Sequence, residues 1–183
     1  MARVLLTSLF QTPQPHRHEA TAGLYAAESI AAGIEMTGHL RRVFDLWMTK
    51  RRDRSMPARR EIDPIDLGGA LPFVVLWDVA RPGPQITCRV AGTEICHRAG
   101  RELRGLSPEA SGGEQAASIR DEYAAVVATG QVHFVERRTS WFGHPLRAYR
   151  RIVLPLAGAG GEIDFLLSCI DFGDDEYRGA RLN

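Results

Sequence analysis

The chain has 183 residues, of which 44% are hydrophobic and 25% are charged, and its formal net charge is +1 at pH 7. This length and composition predict one globular domain with some additional segments. Because the net charge is close to zero, the molecule as a whole has no field that would draw it onto nucleic acid or a membrane, so any such binding requires a local patch.

The cysteines and the hydropathy of the chain indicate its cellular location. Cys88, Cys96 and Cys169 are odd in number and widely spaced, and none of them belongs to a CxxC pair. This pattern argues against a disulfide framework or a zinc site and predicts a reducing, cytoplasmic location. No stretch approaches the roughly 20 apolar residues of a membrane-spanning helix. The brief apolar run near the N-terminus is followed by Gln, Pro and His without a small-residue cleavage site, which argues against a signal peptide.

The N-terminal part of the chain is predicted to form a tail and then a helix. Within residues 1–22, Pro13 and Pro15 lie among polar neighbours, so we expect a disordered tail. Residues 23–55 are predicted as a flanking helix, with the regular spacing confined to 34–52. Along it, apolar residues repeat at four- and three-residue steps: Met36, Leu40, Val43 and Trp47. Two interpretations remain open, because this stripe suits both packing on the chain's own sheet and a short two-helix seam in a homodimer.

Two strands joined by a turn are predicted after a proline-containing loop. Residues 73–79 are apolar except for Asp78, and this run predicts the first strand. A turn containing Pro82 and Gly83 follows. The second strand is indicated by three apolar residues that alternate with polar ones, namely Ile86, Cys88 and Val90.

Two helical segments separate these strands from three more. Thr93 is the predicted N-cap of a helix over 94–99, and a longer helix is predicted over 114–129; glycines follow both segments. The last three strands are predicted over 132–140, 148–156 and 163–172. Consecutive strands with short turns pair antiparallel, and a helical insertion covers one face of the sheet they form. The predicted fold class is therefore α+β, with a five-stranded antiparallel sheet, helices on one face and an N-terminal flanking helix.

Six short fragments occur in an order that resembles one known family. They are MPAR at 56–59, IDP at 62–64, LP at 71–72, RVAGT at 89–93, GREL at 100–103 and YRRIVLPL at 149–156. Through them the chain resembles, from about residue 46 to 172, the PAS domain superfamily, and in particular the PAS-like family of small stand-alone bacterial proteins. The resemblance implies a PAS-like domain over 56–174, followed by a short tail over 175–183.

The resemblance also implies a function in sensing or signalling. Such a protein binds a small molecule or a partner protein, modulates an interaction, and catalyses nothing. Relatives commonly bind their ligands between the sheet and the helices. By strand phase and this analogy, the predicted ligand pocket is lined by Trp77, Cys88, Val90, Ile95, Cys96, Tyr123, Val127, Leu154 and Leu167. Core packing explains these residues equally well, so a pocket filled by its own side chains remains the alternative.

The resemblance leaves the cofactor unknown and disfavours two. Flavin photosensors of this fold carry Asn-Cys-Arg-Phe on the helix after the second strand, whereas this chain has the run ICHR at 95–98. Haem sensors of this fold usually place a histidine on the long helix before the third strand, and residues 114–129 contain none. We therefore expect neither a covalent flavin photocycle nor haem.

A group of arginines near the end of the flanking helix is the predicted partner-binding surface: Arg51, Arg52, Arg54, Arg59 and Arg60. Such a group suits an acidic partner or a phosphorylated ligand. The ordinary alternative is a solvated helix end whose charges favour the helix dipole. Nucleic acid is disfavoured because no aromatic residues are interleaved and the net charge is near zero. The alternative function is a ligand-free dimeric adaptor that acts through this basic segment.

No residue pattern specifies a reaction or a metal site. His16 and His18 lie in the predicted tail, which makes a poor metal site. The glycines of residues 158–161 precede a strand, whereas a phosphate-binding loop opens a helix. Ser107 lacks the second glycine of a nucleophile elbow. The chain is therefore predicted to be neither an enzyme nor a metal-binding protein.

Overall fold

The computed structural model describes residues 21–36, 38–83, 85–111, 115–141 and 144–173. Within these ranges the strands are β1 (Thr21–Tyr25), β2 (Val74–Ala80), β3 (Gln85–Ala91), β4 (Val132–Trp141), β5 (His144–Ala157) and β6 (Ile163–Asp171). The α-helices are α1 (Ala27–Gly33), α2 (Gly38–Arg51), α3 (Pro64–Leu67), α4 (Thr93–Ala99) and α5 (Ala116–Thr129). Short 3₁₀ helices span Arg59–Glu61, Gly68–Phe73 and Pro108–Ser111.

The described strands form one antiparallel sheet in the order β1-β4-β5-β6-β2-β3. The five predicted strands are present, and the predicted α+β class is confirmed. β1 adds a further strand at the β4 edge, where Thr21 pairs with Glu136 and Tyr25 with Val132. Thr21 and Ala22 therefore belong to the sheet and not to the predicted tail, whose remaining residues 1–20 lie outside the described ranges, as does 175–183. A five-residue strand with a glycine at its centre carries too little alternation to be recognised.

Helices cover both faces of this sheet. We call the face that packs against α4 and α5 the inner face, and the face that packs against α1, α2 and α3 the outer face. The insertion helices thus share one face, as predicted, and the flanking segment covers the opposite one. In β2, Val75 and Trp77 point inward while Val74 and Leu76 point outward, and all four are buried. Burial on both sides explains why the central strands are apolar at nearly every position.

The flanking segment consists of two helices, α1 and α2, and the regular helix begins at Gly38 and not at residue 34. The predicted stripe packs on the outer face, where its four residues are at most 5% exposed: Met36, Leu40, Val43 and Trp47. The indole Nε1 of Trp47 donates a hydrogen bond of 2.9 Å to the carbonyl of Pro155 in β5. Side chains buried against their own sheet are not available to a second copy. Of the two interpretations left open by the sequence, the structure therefore supports packing on the chain's own sheet.

The two insertion helices end as predicted. Gly100 and Gly130 follow α4 and α5 with φ angles of 66° and 68°, and the amide of Gly130 donates to the carbonyl of Val126 at 2.8 Å. These left-handed conformations are those that glycine adopts without a Cβ penalty. The start of α4 differs from the prediction, because Gly92 is the N-cap and Thr93 is the first helical residue.

None of the helices in the described ranges combines the length and apolar composition required to cross a membrane. In the same part of the chain, no three His, Cys, Asp or Glu side chains form a group that could hold a metal ion. The three cysteines are free thiols; Cys88 and Cys169 are buried, and Cys96 is half-buried.

Candidate functional site

The space between the inner face and helices α4 and α5 is a filled core. Six of the predicted pocket residues lie here: Trp77, Cys88, Ile95 and Tyr123 are buried, and Cys96 and Val127 pack against them. The cavity that remains among the aromatic side chains has a volume of about 10 Å³. Small-molecule sites usually offer about 300–1,000 Å³, so the described side chains leave no room for a ligand among these aromatic residues. A separate cleft of about 310 Å³ lies at the edge of this core, between β3 and α5.

Arg151 of β5 fills much of this space and is only 1% exposed. Its guanidinium carbon lies 4.9 Å from the ring centroid of Tyr123 and 5.8 Å from that of Tyr149, within the range of cation–π attraction. It also forms an ion pair with Glu122 of α5. Glu122 forms a second ion pair with Arg137 of β4, in which Arg137 Nη1 lies 2.9 Å from Glu122 Oε1. A charged network thus crosses the core from two strands to the helix above them.

His133 completes this buried charge cluster, which consists of Glu122, His133, Arg137 and Arg151. Burial, and next the positive charge of Arg151, lower the pKa of His133 to about 4, so the imidazole is neutral at pH 7. Burial alone would raise the pKa of Glu122, but Arg151 and then Arg137 outweigh it and hold that pKa below its usual range. The cluster therefore contains one more positive than negative charge. The Nδ1 atom of His133 has no hydrogen-bond partner within the described chain.

The sequence analysis missed this cluster, although a signal for it exists. Arg151 stands at an inward-facing position of β5, between Tyr149 and Val153, which are both buried on the inner face. A cation at such a position must find an acidic partner, because an unpaired buried charge is very costly. The partner could not be identified, since Glu122 lies 29 residues away on a helix.

Three of the predicted pocket residues face the opposite side of the sheet. Val90 leaves the inner face because β3 contains a bulge: Trp77 pairs with Cys88, whereas the neighbouring Leu76 pairs with Val90. The extra residue reverses the side on which the rest of the strand points. Leu154 and Leu167 are cross-strand partners on the outer face. Because β5 and β6 are apolar on both faces, their sequences do not reveal which residues point inward.

An open cavity of about 370 Å³ lies on the outer face, beside β2 and β3. One wall is the segment over residues 59–72, another is formed by the strands, and the third is the junction between β3 and α4. We call this cavity the outer groove; its lining residues are Arg59, Ile62, Pro64, Leu67, Leu71, Pro72, Val74, Leu76, Val90, Ala91, Gly92, Thr93 and Leu167. Apart from the guanidinium of Arg59 and the hydroxyl of Thr93, these side chains are apolar.

Exposed apolar side chains surround the outer groove. Leu71 and Val90, which line its mouth, are 42% and 48% exposed, and Ile65 on the adjacent α3 is 84% exposed. These are the exposed large hydrophobic residues found across the described ranges. Single exposed apolar residues need no explanation, but their concentration around one apolar cavity is typical of a binding surface.

The predicted arginine surface is largely engaged within the chain. Arg51 pairs with Glu28 of α1, and its guanidinium carbon lies 5.6 Å from the ring centroid of Trp47. Arg54 pairs with Glu61 at 2.7 Å, and Arg59 donates to the carbonyl of Ile62 at 2.9 Å. The other two members, Arg52 and Arg60, are exposed. Three of the five arginines therefore have structural contacts and do not form one free basic patch.

Within the described residues, the volume of about 10 Å³ that remains among the aromatic side chains of the inner core is far smaller than the tricyclic ring of a flavin. Arg151 is among the residues that line this space. The Sγ atom of Cys96 lies 3.9 Å from the carbonyl oxygen of Ala91 and 3.9 Å from a carboxylate oxygen of Glu102. Burial, and then the charge of Glu102, raise the pKa of this thiol. Cys96 is therefore held as a thiol and not as a reactive thiolate.

Two solved structures are similar to this chain at low sequence identity. The chain is similar to the solved structure of an RNA-binding light-oxygen-voltage receptor, with 12% identity and a TM-score of 0.47 over 85% of this chain and 38% of the receptor. It thus spans little more than a third of that receptor's length. The light-state structure of the blue-light photoreceptor Aureochrome1 LOV shares 14% identity and a TM-score of 0.42, over 61% of this chain and 88% of its own. No curated protein matches the chain.

A family model described as PAS domain matches residues 36–171. The match begins within the flanking segment, before residue 56, and runs to the end of β6. Because it covers well over half of the sequence, this chain belongs to the PAS domain family, whose members are sensory and signalling domains.

Proposed function

We propose that this PAS domain is a non-catalytic sensory domain whose small-molecule ligand binds in the outer groove and not in the inner core. The comparison of the two cavities carries the proposal: the outer groove has a volume of about 370 Å³ and apolar walls, whereas the inner core retains about 10 Å³. The former lies within the usual range for ligand sites and the latter does not. The cleft between β3 and α5 has a similar volume of about 310 Å³, but most of the side chains that line it are polar, so it lacks the apolar walls of the outer groove. By the same argument, neither flavin nor haem is the proposed ligand.

The position of the outer groove supports a signalling role for the bound ligand. Its walls come from three parts of the chain: the segment over 59–72, the sheet, and the first residues of α4. A ligand that binds only when all three are in their present arrangement stabilises that arrangement, and the effect grows with the ligand concentration relative to Kd. Occupancy would then determine how firmly the segment over 59–72 holds to the sheet, and a partner protein that contacts this surface would respond.

Octan-1-ol is a suitable first probe, because it is apolar and smaller than the groove. We expect a titration followed by two-dimensional amide NMR to shift the resonances of Leu71, Val90 and Gly92. The indole N–H of Trp77, which bonds Ser168 Oγ at 2.8 Å inside the inner core, should not shift. Shifts confined to Trp77 and the amides of α5 would place the ligand in the inner core and overturn the proposal. The absence of any saturable shift would overturn it as well.

A second candidate is an adaptor that acts through the surface around Ile65, and not through the basic segment predicted from the sequence, because Ile65 is exposed beside the groove without lining it. Two variants distinguish the candidates. A carboxylate at the mouth of the groove, as in Val90→Glu, should weaken octan-1-ol binding about tenfold or more. Ile65→Glu should leave it unchanged. If neither variant affects octan-1-ol but both abolish binding to a partner protein, the surface serves an adaptor.

A further inference from the structure

We propose that the ligand of the outer groove is an amphipathic anion, with an apolar chain against the groove walls and a carboxylate on Arg59. This inference rests on the proposed function and specifies its ligand class. Arg59 is the charged residue among the groove's lining residues, and the others are apolar except for Thr93. An apolar cavity with one cation among its lining residues suits a molecule that has both an apolar chain and a negatively charged headgroup.

Arg59 is positioned and has donors available. Its Nη1 atom donates to the carbonyl of Ile62 at 2.9 Å, which holds the half-buried guanidinium in place. A guanidinium has five N–H donors, so this bond leaves others for a ligand. Within the described residues, no carboxylate pairs with Arg59.

The acidic residues nearest in sequence are already bonded elsewhere. Glu61 accepts from Arg54 at 2.7 Å and from the amide of Ala58 at 2.7 Å. Asp63 accepts from the amide of Ile65 at 2.9 Å, and Asp66 pairs with Lys50 at 2.8 Å. None of these three carboxylates forms an ion pair with Arg59. An anionic headgroup can form a charge-assisted hydrogen bond there.

The volume of the groove limits the size of the chain. At about 30 Å³ for each water-sized group, 370 Å³ accommodates about twelve non-hydrogen atoms. An unbranched carboxylate of eight to ten carbons is of this order. A small inorganic anion would satisfy Arg59 but leave the apolar walls in water, so the fit requires both parts of the ligand.

The test compares octanoate with octan-1-ol by isothermal titration calorimetry at pH 7.4 and low salt. For the wild-type chain we expect octanoate to bind more tightly than octan-1-ol. Arg59→Gln should weaken octanoate about tenfold and leave octan-1-ol within twofold of the wild-type value. Arg60→Gln, which removes an exposed arginine of the same 3₁₀ helix outside the groove, should change neither affinity. Arg59→Lys should retain most of the preference for octanoate, because it keeps the charge.

Salt dependence provides a second measurement that needs no variant. Raising the ionic strength should weaken octanoate binding to the wild-type chain and leave octan-1-ol binding unchanged, since only the ion pair is screened. This result decides whether the site prefers an anion even if Arg59→Gln does not fold, and Arg59→Lys and Arg60→Gln then test which arginine is responsible.

The outcomes separate this inference from the proposed function. Equal affinity for the two probes, with no effect of salt or of Arg59→Gln, would overturn the anionic ligand and leave the groove as a site for neutral ligands. If neither probe binds in the groove, the proposed function fails together with the inference.

Discussion

At the scale of single residues, Glu122 is critical for the inner core because it is the carboxylate between two buried guanidiniums, those of Arg137 and Arg151. Glu122→Gln leaves both cations without a counter-charge, so we expect the free energy of unfolding to fall by about 3 kcal/mol or more. Urea denaturation followed by circular dichroism measures this loss.

A double variant tests whether the unpaired charge is the cause. Replacing Arg151 as well, in Glu122→Gln/Arg151→Met, removes one of the two buried cations and fills the same space with an apolar side chain. It should be more stable than Glu122→Gln alone. A loss below about 1 kcal/mol for Glu122→Gln would mean that the ion pairs behave as solvent-exposed ones.

Gly92 lies in the wall of the outer groove at a position that has no room for a side chain. A Cβ at this position would lie closer than 3.0 Å to the backbone carbonyl oxygens of Leu71 and Pro72. Gly92→Ala must therefore displace the backbone, and we expect a loss of about 1–3 kcal/mol in urea denaturation. Gly69→Ala is the matched control, since a Cβ there meets no atom within 4 Å. Equal stability of the two variants would contradict the close contact.

At the scale of elements, helix α2 acts as a cover for the outer face. Leu40 is fully buried between the helix and the sheet of the same chain, so Leu40→Ala should reduce the free energy of unfolding by about 2–5 kcal/mol. The loss should not depend on protein concentration, and light scattering should show the same oligomeric state as for the wild type. Arg41→Ala, which removes an exposed ion pair with Asp45, should cost at most about 0.5 kcal/mol. Dissociation of a dimer by Leu40→Ala would instead support the two-helix seam.

At the scale of the whole molecule, the buried charge cluster makes stability depend on pH. His133 is 3% exposed and surrounded by Arg151 of β5, Arg137 of β4 and Glu122 of α5. Its pKa is about 4 in the folded chain, against an ordinary value of 6.5. Between these values the unfolded chain binds more protons, so the free energy of unfolding decreases as the pH falls through this window. The loss attributable to His133 is about 3 kcal/mol by pH 4.

The contribution of Glu122 has the same sign and begins at lower pH. Its pKa is lowered in the folded chain, so the stability that it contributes is lost as the pH falls below its ordinary value of 4.5. His133→Leu should therefore flatten the stability profile between pH 6.5 and 4.5 but leave the loss below that range. Urea denaturation across this series measures both effects. His97→Gln, at an exposed histidine, is the control; a profile unaffected by His133→Leu would contradict the assignment.

The sequence by itself determined those features that arise from local periodicity and backbone chemistry. Five strands were recognisable from apolar runs, and the ends of α4 and α5 from Gly100 and Gly130, because only glycine adopts their left-handed conformation freely. The order of these elements sufficed for the α+β class, since consecutive strands pair antiparallel. The six short fragments and their order were enough to identify the PAS family.

Only the tertiary structure decided which side of the sheet each residue faces and which charges meet. Val90 changed faces because of a bulge, and Leu154 and Leu167 could not be assigned because both faces of their strands are buried. Glu122 and Arg151 are 29 residues apart, and Trp47 meets Pro155 over 108 residues. The candidate site also could not be identified from the sequence. It is the outer groove, which lies between the segment over 59–72 and strands β2, β3 and β6. Its walls are distant in the chain, and a cavity between them exists only once the sheet has brought them together.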